Sequence, residues 1–429
     1  MKAGKGSPSL FTSVEKKCII GLSSILFFRM YGLFLVLPVF SALAMGLDQA
    51  TPLLVGLAFG AYGVTQGILQ VPFGMLSDRI GRKPVIMGGL LIFVLGSVMA
   101  AVTDSVYWMI AARFLQGAGA VSSAIFALIA DLTRPEVRTR ANAFLGGSIG
   151  ISFGIAILSA PFLSQAFGLD GLFWLISAIT MVSMGILLKG VPEVEPSSKL
   201  VEPESAARML LTVLKLKSLR AINLGGLICG TGLSMVFFLV PLMMFQHEFT
   251  QSELWKVYLP MLLLGGLAMV PAAIIAESRN RFREVMLVGI LLLLGSAILL
   301  GIGWQKDSLN WFLAGVFLFF MGFNVFEPIL PSLVSRLTTP ETKGTATGVY
   351  NLFQFGGHFM GALLAGLFYE QHFEWLVGVL LVLEMLFFYV TLNFQNPGKT
   401  RPSKTYENTD LPRINEKGTI SAVKERSTK

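Results

Sequence analysis

Apolar residues in this chain come in long, nearly unbroken blocks, and short charged turns separate one block from the next. Twelve blocks stand out, at 18–43, 52–76, 84–103, 106–130, 142–167, 170–189, 222–246, 254–276, 284–304, 310–335, 345–369 and 374–394. A bilayer core about 30 Å thick takes roughly 20 residues of helix to cross. The pattern therefore predicts an all-α integral membrane protein with twelve spanning helices.

Composition agrees with the pattern. Of 429 residues, 14% are Asp, Glu, Lys or Arg and 54% are apolar or aromatic, too little polar surface to cover a soluble globule. Membrane lipids are expected partners. The first block is too long for a secretory signal core and is interrupted by Arg29, so it is expected to stay as an uncleaved helix. Cys18 and Cys229 lie far apart within or beside apolar blocks, which argues against a disulfide or a metal site.

A net charge of +8 raises nucleic acid as a partner, but its placement reads as membrane orientation instead. Alternate turns hold the cations: Lys16 and Lys17; Arg79, Arg82 and Lys83; Arg134, Arg138 and Arg140; Arg279, Arg281 and Arg283; Arg336 and Lys343. The opposite turns hold only Lys256 and Lys306, while Trp108, Trp174, Trp255, Trp304, Trp311 and Trp375 gather on that side. Cations stay on the cytoplasmic side and tryptophans prefer an interface, so both termini are expected in the cytoplasm.

The blocks divide six and six. A cytoplasmic N-terminus at 1–17 precedes an N-terminal bundle at 18–190; a linker at 191–221 leads to a C-terminal bundle at 222–394 and a polar tail at 395–429. Within the linker, Met209, Val213 and Leu216 share one face of a helix-like stretch from Glu204 to Arg220, as in a helix lying on a headgroup surface. A solvated helical linker is the plainer alternative. The tail is too polar to fold by itself.

The halves repeat. Asp131-Leu132-Thr133-Arg134-Pro135-Glu136-Val137-Arg138 aligns without gaps on Arg336-Leu337-Thr338-Thr339-Pro340-Glu341-Thr342-Lys343, and Asp78 and Arg82 align more weakly on Glu277 and Arg281. Such a repeat implies two six-helix bundles of parallel topology around a midplane cavity.

Gly74-x-Leu76-Ser77-Asp78-Arg79-x-Gly81-Arg82-Lys83, between the second and third blocks, resembles the loop signature of the major facilitator superfamily. Arg113-x-x-Gln116-Gly117-x-Gly119-Ala120 resembles the fourth-helix signature of its proton-coupled members. With Arg29-Met30-Tyr31-Gly32 and Leu37-Pro38-Val39-Phe40, the chain is similar in particular to the YajR branch of drug:proton antiporters. The antiporter signature of the fifth helix ends in Gly-Pro; here Gly146, Gly147, Gly150 and Gly154 lead only to Ala160-Pro161. The YajR branch also carries a folded domain after the last helix, for which the tail here is too short and too polar.

Ionisable groups at membrane depth cost about 2.5–3.5 kcal/mol on insertion scales, so each is a candidate site. They are Arg29, Arg113, Glu327 and Glu384, with Asp131 at one end of the fourth block. In the family helices 1, 4, 7 and 10 line the cavity, which singles out Arg29, Arg113 and Glu327. Glu327 precedes Pro328 and Pro331, where a kink frees backbone carbonyls, and it is expected to exchange the coupling proton or bind substrate. A permanent ion pair that only fixes helix packing is the alternative. By resemblance Arg113 tunes a nearby carboxyl during proton transfer; structurally it would pin the fourth helix to carbonyls of the first. Arg29 binds an anionic substrate group or holds a buried acid ionised.

His358 is a third candidate for proton coupling, since imidazole titrates near neutral pH. Glu384 is expected to be structural. Tyr31, Gln66, Gln70, Gln116, Asn324, Asn351 and Gln354 complete the candidate cavity lining, against the plainer reading of interhelical hydrogen bonds worth about 0.6 kcal/mol each.

Two transport functions follow: proton-coupled efflux of hydrophobic or amphipathic compounds, or proton-coupled import or facilitated passage of a small, anionic metabolite. No glycine loop for phosphate and no His/Cys cluster at metal spacing is present, so no enzyme activity, cofactor or metal is expected. A monomer is expected, with a small molecule and protons as its partners.

The cluster Gly74, Asp78, Arg79, Gly81, Arg82 and Lys83 holds its turn on the cytoplasmic side, but the cations do not explain Asp78. A latch does. The eleventh helix begins near Gly344-Thr345, whose amides and dipole suit an anion, and Asp78 is placed to reach it from the other bundle when the inner side is closed. Arg82, by resemblance, bridges toward Asp131.

Overall fold

The computed structural model of the protein describes residues 11–192, 211–339 and 342–397, and among them the fold is all-α. Most of the linker, Pro340, Glu341 and the tail from 398 onward lie outside the described residues; within the linker, 211–215 is helical. In chain order the helices are α1 (Ser13–Val36), α2 (Phe40–Ala44), α3 (Pro52–Ile80), α4 (Arg82–Ala101), α5 (Val106–Ala118), α6 (Ser122–Leu132) and α7 (Pro135–Gly190). The second half holds α8 (Lys217–Gln246), α9 (Trp255–Arg279), α10 (Phe282–Gln305), α11 (Leu309–Arg336), α12 (Lys343–Phe368) and α13 (Phe373–Leu392).

Ten described helical segments are long and apolar enough to cross a membrane. One of them, Glu136–Gly190, holds two apolar blocks and turns at Gly168, whose φ of 67° and ψ of −172° no ordinary helical residue adopts. Conversely, two blocks are interrupted. Block 18–43 divides into α1 and α2 around Leu37-Pro38-Val39, and block 106–130 divides into α5 and α6 at Gly119-Ala120-Val121. α11 passes through Pro328 and Pro331 as one continuous helix.

Helix starts follow local chemistry. Thr12 caps α1 by accepting from Glu15 N at 3.2 Å while Glu15 accepts from Thr12 N at 2.8 Å, a reciprocal capping box. Thr51 caps α3 with Pro52 in the first turn. Gly81 takes φ 100° and lets α3 reverse into α4; the aligned position in the second half, Asn280, takes φ 53° between α9 and α10. Asparagine tolerates this left-handed region, so the repeat extends to backbone shape.

The turns define two faces. One bears the arginines and the other the tryptophans, of which Trp108, Trp174, Trp255, Trp311 and Trp375 are exposed. At the tryptophan face the halves meet closely along α3 and α12. A Cβ on Gly56 would lie 2.4 Å from the Ala362 carbonyl oxygen, and one on Gly366 2.3 Å from that of Pro52. Small residues let the backbones approach this far. Ser41 Oγ donates to Phe238 O at 2.7 Å and Tyr258 Oη to Pro38 O at 2.7 Å, and Phe59 and Phe153 pack edge-on against Phe238 and Phe237.

Toward the arginine face this seam continues as far as Val71 opposite Gly348. Gly146, Gly147, Gly150 and Gly154 of α7, Gly266 of α9 and Gly344 of α12 have open space where a Cβ would stand. The close polar and aromatic contacts between the halves thus concentrate toward the tryptophan face.

Candidate functional site

Glu327 is exposed, although it lies well inside α11, between buried Phe326 and buried Ile329. Tyr350 of α12 and Cys229 of α8 are within its electrostatic reach, so the carboxyl sits where α8, α11 and α12 come together. Three residues earlier, Asn324 is half-buried against Gly265 of α9 and spends one amide hydrogen on Phe320 O at 2.8 Å. Asn351 and Gln354 of α12 are also partly exposed. His358 is held at the seam of the halves: Nδ1 lies 3.1 Å from Ser234 Oγ of α8, and its Cβ approaches Gly63 of α3.

Tyr31 Oη pairs with Ser159 Oγ of α7 at 2.9 Å, and Gln70 is half-buried. Arg29, Gln66, Arg113 and Gln116 differ from the expected cavity wall: each is at most 2% exposed, inside the N-terminal bundle. Arg29 Nη2 donates to Gln66 Oε1 at 2.6 Å and to Gly119 O at 2.9 Å. Tyr62 Oη donates to the same Gln66 oxygen at 2.5 Å.

Arg113 does not reach carbonyls of the first helix. Its Nη1 donates to Gln116 Oε1 at 2.7 Å, and Gln116 Nε2 donates to Ser97 Oγ at 2.8 Å. Its own helix offers that partner three residues away, which orders fewer groups than a contact across the bundle. The Tyr62 ring lies 5.9 Å from the Arg29 guanidinium and 5.1 Å from that of Arg113, with Phe93 and Phe40 as their further aromatic neighbours. Among the described residues neither arginine forms an ion pair with a carboxylate. The C-terminal end of α5, whose last carbonyls carry partial negative charge, offsets part of theirs.

At the arginine face, Arg82 pairs with Asp78 one turn earlier, and its Nε lies 3.1 Å from Asp131 Oδ2. Arg82 Nη1 also donates to Ser77 Oγ at 2.7 Å, and Ser77 Oγ to Gly74 O at 2.7 Å. Lys83 Nζ donates to Val191 O at 3.0 Å, and Arg79 is exposed. Asp78 is thus held by its own bundle, while Gly344 stands in open space and Thr345 is half-buried near it. In the second half Glu277 pairs with Arg336 at 3.4 Å. Arg82 bridges Asp78 and Asp131 in the first half, whereas in the second half Glu277 pairs directly with Arg336, which stands where the first half has acidic Asp131.

Sequence reasoning missed a contact that ties α1 to the turn before α7. Glu15 is buried and accepts from Arg134 N at 3.1 Å, Nε at 2.9 Å and Nη2 at 3.1 Å. That forked, charge-assisted grip holds the Arg134 guanidinium above its usual pKa. Thr12-x-x-Glu15 carries the legible signal of a capping box, but nothing local points to Arg134. Glu384 is buried in the second half beside a closed cavity of about 10 Å³ between α8, α10, α11 and α13. The two cysteines are free and buried.

Residues 22–362 match the family model of the Major Facilitator Superfamily. The Inner membrane transport protein YajR of Escherichia coli (strain K12) is 39% identical over 358 residues, 83% of this chain and 78% of that protein. Multidrug resistance protein 1 of Bacillus subtilis (strain 168) is 23% identical, over 80% of this chain and 88% of its own. A solved bacterial homologue of the human lysosomal transporter Spinster superposes with a TM-score of 0.71 at 12% identity, covering 90% of this chain and 98% of its own. That likeness carries the fold.

Proposed function

The chain belongs to the major facilitator superfamily and is a multi-pass membrane transporter, and from that premise we propose that it exports hydrophobic or amphipathic compounds in exchange for protons. The observation that carries the reading is Glu327, a carboxyl well within a spanning helix that is nevertheless exposed. An acid at membrane depth is expensive unless water reaches it. There it takes a proton from one side and releases it to the other as the halves rock.

Twelve spanning helices, formed by the ten apolar segments with the turn at Gly168 and the more polar α12, fit this reading. So do a location in the inner membrane, with the arginine face and both termini in the cytoplasm, and a single chain as the working unit. The close contacts at the tryptophan face then make this the inward-open state. Multidrug resistance proteins among the relatives favour an apolar substrate, and the Phe- and Met-rich walls of α8 and α11 suit one. Arg82, Asp131 and Asp78 form the latch that engages the α12 N-terminus at Gly344 and Thr345 when the cytoplasmic side closes. Arg113 and His358 remain secondary candidates in proton coupling.

The test is flux in liposomes under an imposed pH gradient. Wild type is expected to release protons as substrate moves. Glu327→Gln is expected to fold and bind substrate but to lose pH-driven flux, and unchanged pH dependence in that variant refutes the role. A second reading, coupled import or facilitated passage of an anionic metabolite, is favoured by the two buried arginines without an acid; proton uptake together with the substrate would select it.

A further inference from the structure

The break between α5 and α6 gathers buried hydrogen-bond donors that have no acceptor. α6 begins at Ser122 after Val121, which supplies no side-chain cap. Val121 N bonds Gly119 O at 3.0 Å and Ile125 N bonds Val121 O at 3.0 Å, but the amides of Ser122, Ser123 and Ala124 between them find no acceptor among the described residues. Helix starts buried in this way are uncommon, because each orphan N–H costs free energy when water is excluded. The Ser122 hydroxyl is buried and likewise unpaired.

Arg29 supplies the second, independent observation. It is 0% exposed, it is anchored within the break through Nη2 on Gly119 O, and its Nε and Nη1 have no partner. Gly119 O accepts from both Arg29 Nη2 and Val121 N, so a guanidinium whose charge the last carbonyls of α5 offset only in part stands beside the start of α6 and its orphan donors. One small acceptor carrying negative charge satisfies all of them together.

We propose that this break is a binding site for one small monovalent anion, held by Arg29, the Ser122 hydroxyl and the first amides of α6. The walls limit its size: a Cβ on Gly119 would stand 2.6 Å from Gly89 O, one on Gly89 2.2 Å from Val121 Cγ1, and Phe93 and Tyr62 cover the guanidinium. Such walls admit nothing larger than chloride or a single carboxylate group. The site lies within one bundle, so it stands whichever way the transporter runs, and it does not depend on Glu327. An ion there fixes the angle between α5 and α6, and with it the position of the α6 segment that carries Asp131.

The experiment is thermal unfolding of the purified full-length protein at constant ionic strength, in chloride, in benzoate and in gluconate, whose hydrated polyol chain cannot follow its carboxylate into the apolar bundle. Saturating chloride is expected to raise the midpoint by roughly 3 °C over gluconate, and Arg29→Gln is expected to remove the difference. Because Arg29→Gln could fail to fold, Ser122→Asp is the second variant. Its carboxylate replaces the ion, so stability in gluconate should rise to the level of wild type in chloride, and chloride should add nothing. Stabilisation by benzoate but not by chloride, lost in the same variants, assigns the anion to a carboxylate of the cargo. A wild-type midpoint identical in all three salts overturns the site, as does a chloride effect that survives in Ser122→Asp.

Discussion

The close seam between α3 and α12 predicts that one methyl group at Gly56 moves the balance between transporter states. A Cβ there would lie 2.4 Å from Ala362 O and 3.1 Å from the Gly366 Cα. Real contacts of this kind do not fall below about 3 Å, so in Gly56→Ala the two helices must part by roughly 0.6 Å. Such a gap forfeits a quarter to a half of the dispersion at each neighbouring contact, and overpacking of this size costs roughly 1–3 kcal/mol. The strain exists only where the tryptophan face is closed. The sealed state should therefore lose roughly 5- to 150-fold in population against the state open at that face.

Spin labels at exposed Asp104 and Glu370, one on each half at the tryptophan face, read this directly as a distance distribution. Gly56→Ala should add a longer-distance population that wild type lacks. Gly63→Ala, where the new Cβ meets Phe355 O at 3.2 Å, should shift less, and Gly378→Ala, with open space around it, not at all. If Gly56→Ala lowers the melting temperature but leaves the distances as in Gly378→Ala, the seam is ordinary packing rather than a gate, and the reasoning fails.

The same labels test the latch: Asp78→Asn should enlarge the sealed, inward-open fraction without abolishing substrate binding, and an unchanged or opposite shift counts against it. Its ion pair with Arg82 is itself solvent-near, so the effect should stay below about 1 kcal/mol on folding stability. Removing the Arg134 side chain leaves the buried Glu15 carboxylate with Thr12 and one backbone amide, so Arg134→Ala should lower the melting temperature, and adding Glu15→Gln should restore part of it; additive losses would show that the two do not interact. Glu384 has one buried oxygen without a partner in an otherwise apolar cavity, so Glu384→Met, of similar volume, should match or exceed wild-type stability with flux intact; lost flux would instead place Glu384 on the proton path.

Sequence by itself determined what depends on local composition. Twelve apolar blocks, the alternation of cationic and aromatic turns, the aligned halves and the Gly74–Lys83 signature were all legible, because lipid requires each spanning segment to be apolar and to satisfy its own backbone. The candidate acid was legible for the same reason: Glu327 is conspicuous in a block where charge is costly. Tertiary structure decided which polar side chains stay exposed and which are buried within a bundle. Arg29 and Glu327 look alike as lone charges in apolar blocks, yet one is sealed against a broken helix and the other is open. Such a difference is set by how a helix is rotated against its neighbours. In a block that is apolar all round there is no periodic polar face to reveal that rotation. The break at Gly119, the grip of Arg134 on Glu15 and the glycine seam of α3 with α12 likewise depend on residues far apart in the chain, and their energies exist only once the helices have packed.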